Sequence, residues 1–123
     1  MFKLNIATGQ ETVLYAFVNG SVTGPSNGCG PTAGVIRDED GNLYGTTSGS
    51  VVTQPHHICS FSKGTVYKLD SNGKLTVLHA FDGIGEDSGG LDGGVTRDSK
   101  GRLYGLATGG GSTRNGSVFE IIP

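Results

Sequence analysis

Three side-chain oxygens in the stretch GVIRDEDGNLYGTTSG (34–49) have the spacing of a calcium-binding loop. Asp38, Asp40 and Asn42 stand at alternate positions beside a glycine, as the first ligands of an EF-hand loop do. That loop also requires a glycine at its sixth position and a glutamate at its twelfth, and both are missing here. The stretch therefore favours a hydrogen-bonded turn between two strands, with a calcium site as the weaker alternative.

Histidine and cysteine side chains form a second group with metal-binding chemistry. His56 and His57 are adjacent, and Cys59 follows closely. Adjacent side chains on an extended chain point to opposite sides, whereas a zinc site needs three or four converging ligands. The pattern therefore favours a loop without a metal ion.

One connecting segment, residues 82–92, is locally acidic. Within it, EDSGG (86–90) imitates the nucleophile segment of serine proteases, but no suitably placed His–Asp pair completes a triad. We therefore predict no catalytic residues and no cofactor. The candidate ligand-binding residues on loops are His56, His57, Asp82, Glu86, Asp87 and Asp92.

Composition excludes several classes of protein. The 123-residue chain has 23 glycines and a hydrophobic share of 34%. Glycine is far above its usual roughly 7% and separates short apolar runs, which is typical of short strands joined by tight turns. A net charge of −2 with dispersed Lys and Arg predicts no nucleic-acid partner. No apolar run approaches the ~18 residues of a membrane span.

The strongest signal is an internal repeat. GVIRDEDGNLYGTTSG (34–49) recurs as GVTRDSKGRLYGLATG (94–109), at an offset of 60 residues. TVLYAF (12–17) recurs as TVLHAF (76–81), at an offset of 64. Because the offset is constant within each repeated segment and changes only between segments, the two units differ in length only in the connections, which are therefore loops on a fixed scaffold.

The rest of the unit repeats as well. GTVYKL (64–69) recurs as GSVFEI (116–121), at an offset of 52, and FKL (2–4) is a truncated copy. Each unit therefore predicts four short antiparallel strands joined by Asp-x-x-Gly or Asn-Gly turns, in which glycine takes a positive φ. The strands predicted for the complete unit are 34–38, 42–47, 64–70 and 74–81.

Apolar side chains occupy both sides of the predicted strands. In TVLHAF we expect Val77 and Phe81 on one face, with Leu78 and Ala80 on the other. Four-stranded antiparallel sheets that are covered on both faces and repeated are typical of the blades of a β-propeller. We therefore predict an all-β, β-propeller-like array of about two units per chain, with a β-sandwich as the main alternative.

These segments resemble the tandem GloVer repeat of secreted, mostly bacterial proteins. NLYGTTSGS, GTVYKLDSNGKLTVLHAF and AGVIRDEDG are similar to the unit of that family, and the similarity covers nearly the whole chain. The resemblance implies a propeller-like protein that is secreted or extracellular, and it brings no established catalytic residues. The second unit departs at Leu106 and Ala107, where the family has Thr-Thr.

We expect a single repeat domain over 1–123, made of a partial unit (2–17), a complete unit (33–81) and a second partial unit (93–122). Repeats bury their apolar faces against neighbours, and about two units are fewer than the roughly four to eight blades of a closed propeller. We therefore predict that copies self-associate as a ring or a filament, or that the chain belongs to a longer repeat protein.

The indicated function is a non-enzymatic, extracytoplasmic β-propeller-repeat module that self-assembles for a structural or binding role. The alternatives are a propeller lectin that binds glycans, and a propeller lyase or hydrolase that uses acidic loop residues. A glycan or protein ligand would dock where the long connections gather, because binding groups are usually placed on loops over a rigid scaffold.

Cys29 and Cys59, the only cysteines, also lie in the predicted long connections. A disulfide between them would close a loop of about 30 residues and stabilise the fold by roughly 3–4 kcal/mol in the chain-entropy model. If the compartment is oxidising, this disulfide is favoured over two free thiols.

Overall fold

Nine short strands form three antiparallel sheets in the computed structural model, which describes residues 1–17, 30–49, 64–81, 89–113 and 115–123. The first sheet pairs two strands, the second has four in the order β3-β4-β5-β6, and the third has three in the order β7-β8-β9. The strands are β1 (Phe2–Asn5), β2 (Gln10–Val13), β3 (Ile36–Arg37), β4 (Leu43–Thr47), β5 (Thr65–Leu69), β6 (Leu75–Ala80), β7 (Val95–Arg97), β8 (Leu103–Ala107) and β9 (Ser117–Ile121).

The predicted all-β, antiparallel class is confirmed for the described residues, none of which lies in a helix. Accordingly, this part of the chain has no helix long and apolar enough to cross a membrane. None of the three sheets closes on itself. In the four-stranded sheet each strand is one to three residues shorter than predicted, because aspartates such as Asp38 and Asp70 belong to the turns.

One type of turn connects the strands of three hairpins. In the first of these, the backbone N–H of Asp38 donates to the carbonyl of Asn42 at 3.0 Å, and that of Gly41 donates to the carbonyl of Asp38 at 3.2 Å. The turns that begin at Asp70 and Asp98 repeat both bonds. The glycine of each of these turns has a positive φ: Gly41 (86°), Gly73 (83°) and Gly101 (86°). The predicted Asp-x-x-Gly turns are confirmed.

A bulge in β6 changes which face two of its residues occupy. Val66 is paired with His79 and Tyr67 with Val77, so Leu78 has no opposite residue in the register. An extra residue of this kind shifts the alternation of side chains by one. Val77 therefore lies on the Tyr67 side of the sheet, and the prediction that it shares a face with Phe81 is wrong.

The apolar core lies between the second and third sheets. Tyr44 and Val66 from one face of the second sheet join Val95 and Leu103 of the third in a single cluster. The buried members among the described residues are Tyr44, Val66, Phe81, Leu91, Val95, Leu103 and Ala107. A side-chain hydrogen bond crosses the same boundary, because the Thr46 hydroxyl donates to the carbonyl of Gly93 at 2.8 Å. The two sheets are thus held face to face.

Each of the two larger sheets has an aromatic ring over a glycine. Tyr67 is paired with Gly45 across β4 and β5, and Phe119 is paired with Gly105 across β8 and β9. A Cβ atom at Gly105 would overlap the ring of Phe119, and one at Gly45 would meet the ring of Tyr67 at 2.8 Å. Burial raises the pKa of Tyr67 to about 12. Only glycine leaves room for these rings.

The Gly105→Ala variant is expected to lose about 1–3 kcal/mol of unfolding free energy, as overpacked cores do, because the new methyl group overlaps Phe119. Urea unfolding followed by circular dichroism measures the loss. The matched control is Gly34→Ala, where a Cβ would meet nothing within 4 Å, and it should be neutral or stabilising by about 0.4–1 kcal/mol. Equal effects of the two substitutions would contradict the close contact.

Candidate functional site

The carboxylate of Asp38 is occupied by the turn in which it lies. One oxygen accepts the backbone N–H of Asn42 at 2.8 Å, and the other accepts the Asn42 side-chain N–H at 2.8 Å and the Tyr44 hydroxyl at 3.0 Å. Desolvation opposes ionisation of this carboxyl, but the hydrogen bonds from Asn42 and Tyr44 outweigh it and lower its pKa. The turn interpretation of the first candidate metal loop accounts for all these contacts.

The equivalent turn of the second unit replaces Asn42 with a cation. The Asp98 carboxylate accepts the backbone N–H of Arg102 at 2.9 Å and pairs with its guanidinium at 2.7 Å. The Tyr104 hydroxyl donates to the same carboxylate at 3.3 Å. Desolvation again opposes ionisation, and the hydrogen bonds from Arg102 outweigh it, so the pKa of Asp98 is also lowered. Both aspartates thus anchor their turns through the residue four positions on and the tyrosine six positions on.

Most of the other candidate residues lie outside the described part of the chain. These are His56, His57, Asp82, Glu86 and Asp87, together with Cys29 and Cys59. Asp92 is described and exposed, as is Asp40. Within the described ranges, no group of three or more His, Cys, Asp or Glu side chains is arranged to hold a metal ion.

The contact between successive sheets is built twice from equivalent residues, that is, residues related by the sequence offsets. The ring of Phe17, which follows β2, meets Tyr67 of the second sheet edge-on, with centroids 5.3 Å apart and an interplanar angle of 67°. Its equivalent Phe81, which follows β6, meets Phe119 of the third sheet at 5.2 Å and 62°. Edge-to-face pairs of this kind are favourable beyond the area they bury. The same type of aromatic contact therefore joins successive sheets at two places among the described residues.

One half of this interface is exposed on the third sheet. Leu106 and Val118 are paired across β8 and β9, and their equivalents Thr46 and Val66 are paired across β4 and β5. Thr46 and Val66 are 1% and 0% exposed because the third sheet covers them, whereas Leu106 and Val118 are 63% and 73% exposed. The outer side of the third sheet is therefore apolar around Leu106 and Val118, and it is uncovered among the described residues. We call it the outer face.

The other half is only partly covered on the second sheet. Val95 is buried at 4% exposure against the second sheet, whereas its equivalent Val35 is 41% exposed. Leu103 is buried and its equivalent Leu43 is half-buried. The β1–β2 hairpin covers the β5–β6 side of this surface through Phe17, but it supplies no strand over β3 and β4. We call the surface around Val35 and Leu43 the inner face.

A cavity of about 600 Å³ lies between the hairpin and the inner face. Its lining includes Phe2 and Leu14 from the hairpin side and Val35, Leu43 and Leu69 from the second sheet. Charged groups, among them Lys3, Arg37, Asp40 and Asp70, lie at the same opening. The cavity has the size of a small-molecule pocket. At the equivalent place between the second and third sheets, the two sheets are in direct contact.

Comparison of the chain with protein-family models, curated proteins and solved structures gave no match. The functional interpretation therefore depends on the residues and geometry of this chain.

Sequence reasoning noted Leu106 as a departure from Thr-Thr but assigned it no role. The signal that points to the outer face is that Leu106, an apolar residue, stands in the second unit where the first unit has the buried Thr46. Tyr44 and Tyr104 are equivalent tyrosines of the two units, and Tyr44 lies in the core. Tyr104 is only half-buried, because it lies on the outer face.

Acid should destabilise the protein through Asp38 and Asp98. Their folded-state pKa values are lowered, so the stability they contribute is present above the unfolded value of about 3.9 and is lost as pH falls through the folded values. We expect the thermal midpoint of the wild type to fall below about pH 4, and the fall to be smaller in an Asp38→Asn/Asp98→Asn variant. Thermal unfolding at a series of pH values measures this difference. Identical pH profiles would contradict the role of the two carboxylates.

Proposed function

We propose that this chain is a non-enzymatic β-propeller-repeat module whose copies associate head to tail, and that it has a structural or binding role outside the cytoplasm. The observation that carries the proposal is the contrast between exposed Leu106 and Val118 and their buried equivalents Thr46 and Val66. In a polypeptide of these 123 residues, the surface that would cover the outer face is the inner face of a second copy.

The propeller arrangement is supported by the repeated interface. Phe17–Tyr67 and Phe81–Phe119 have nearly the same separation and angle, so each sheet is followed by the next in the same relation. Propeller blades are four-stranded antiparallel sheets repeated in this manner. The resemblance of the repeat to GloVer units supports a secreted or extracellular location.

The direction of association follows from the difference between the two ends. The outer face presents Leu106 and Val118, whereas the inner face presents Val35 and Leu43 beside the cavity. Two different surfaces that fit each other form a heterologous contact, which generates a closed ring or an open filament. Head-to-tail association is therefore the mode that uses both surfaces of every copy.

A non-enzymatic role is supported by the use of the polar residues. Among the described carboxylates, Asp38 and Asp98 have a lowered pKa, and their oxygens are directed to turn residues. Arg102 pairs with Asp98 at 2.7 Å and with Glu120 at 3.4 Å on the sheet surface. These contacts stabilise turns and strand pairs. A glycan or protein ligand is assigned instead to the long connections between strands.

The Leu106→Asp variant is expected to dissociate the assembly. Burying a leucine side chain contributes about 1.5–3 kcal/mol, so its loss should raise the dissociation constant by at least about ten- to a hundredfold, and a buried carboxylate would weaken association further. Size-exclusion chromatography with light scattering over a range of concentrations gives the mass and the midpoint of dissociation.

Ile6→Asp is the matched control, because Ile6 is exposed in the β1–β2 turn and is the counterpart of a polar turn residue in the second sheet. This control should keep the wild-type mass. A wild type that stays monomeric at every concentration, or a Leu106→Asp variant with the wild-type mass, would overturn the proposal.

A further inference from the structure

We propose that association exchanges strands: β9 of one copy pairs with β2 of a second copy and displaces the second copy's β1. This inference rests on the head-to-tail association proposed above and specifies how the two surfaces meet. It follows from the positions of three equivalent strands, from the exposure of β1 and from the number of strands in each sheet.

The strands β1, β5 and β9 occupy the same position in the repeat. Their equivalent segments are FKL, YKL and FEI. β1 pairs with β2 in the register in which β5 pairs with β6, since Phe2 is opposite Val13 as Tyr67 is opposite Val77. Phe119 is the equivalent of Phe2 in β9. A register that places Phe119 opposite Val13 therefore reproduces the pairing found inside the chain.

The β9 edge is available for this pairing. In the second sheet, β5 lies between β4 and β6, whereas its equivalent β9 has only β8 as a neighbour among the described residues. The backbone groups on the other edge of β9 form an unpaired row that can accept a strand, which is the basis of β-strand addition.

The strand to be displaced is weakly covered. All four residues of β1 are exposed, including the apolar side chains of Phe2 and Leu4. A two-stranded sheet is marginally stable, and among the described strands β1 pairs only with β2. In contrast, β9 is part of a three-stranded sheet with β8 and β7. The exchange thus replaces a two-stranded sheet and a three-stranded sheet with one four-stranded sheet.

The same exchange covers both exposed surfaces. With β9 beside β2, the strands β8 and β7 of the incoming copy extend across β4 and β3, so Leu106 and Val118 of the outer face lie against the region around Val35. Phe17 stays on Tyr67, because β2 remains on its own second sheet. The incoming outer face also fills the cavity, which lies where these strands are absent.

Strand number agrees with the exchange. Each copy has nine described strands, and removing β1 from pairing leaves eight, enough for two four-stranded sheets. If β1 stayed in place, two strands would compete for the same position beside β2. Two to four copies would then give the about four to eight blades of known closed propellers.

Pairs of introduced cysteines in the full chain test the exchange. They are placed in a Cys29→Ser/Cys59→Ser variant, which is first shown to assemble as the wild type does. The reproduced register places Glu120 of one copy opposite Thr12 of the next, whereas Lys3 is opposite Thr12 within the chain. Directly opposite positions in a sheet lie within disulfide range. Thr12→Cys/Glu120→Cys should therefore oxidise to a ladder of covalent oligomers on a denaturing gel.

The matched pair is Lys3→Cys/Thr12→Cys, which should oxidise within one chain and lock β1 onto β2. Oxidised, this variant should associate at least about tenfold more weakly than when it is reduced, because β1 then cannot leave. The reduced sample shows that the substitutions themselves preserve folding and assembly.

The outcomes separate the exchange from the association itself. If the locked variant assembles as tightly oxidised as reduced, and Thr12→Cys/Glu120→Cys gives no covalent oligomers from a normal assembly, the exchange is overturned while head-to-tail association stands. If the unmodified chain is monomeric, the proposed function fails first. A covalent ladder together with weaker association of the locked variant supports the exchange.

Discussion

The structure depends on covering each sheet with the next one. In both interior interfaces an aromatic ring lies over a glycine of its own sheet and meets a phenylalanine from the preceding sheet. The rings are Tyr67 over Gly45 and Phe119 over Gly105. The residues that face a neighbouring sheet in this contact are buried, so the same positions are exposed on a sheet that has no neighbour. The terminal surfaces of the chain are the consequence of this constraint.

The outer face and the inner face are the equivalents of the two surfaces that meet between the second and third sheets. The proposed association of copies therefore uses a kind of contact that the chain already contains. The replacement of buried Thr46 by exposed Leu106 in the second unit increases the apolar area of the outer face.

The repeat allowed the all-β class, the antiparallel pairing and the turns to be predicted from the sequence. Asp38 and Gly41 carry specific turn chemistry, and the second unit keeps both types of residue at Asp98 and Gly101. Other features depend on contacts between distant segments. The bulge at Leu78 and the cavity beside Val35 have no local signature. The first follows from pairing with β5, and the second lies on the side of β3 and β4 that no described strand covers.

The native mass of the unmodified 123-residue chain tests the central claim most directly, because assembly requires no variant, ligand or cofactor. Native mass spectrometry combined with sedimentation at several concentrations gives this mass. The account predicts species at integer multiples of the chain mass that dissociate on dilution. A folded species with the mass of one chain at every concentration would contradict it.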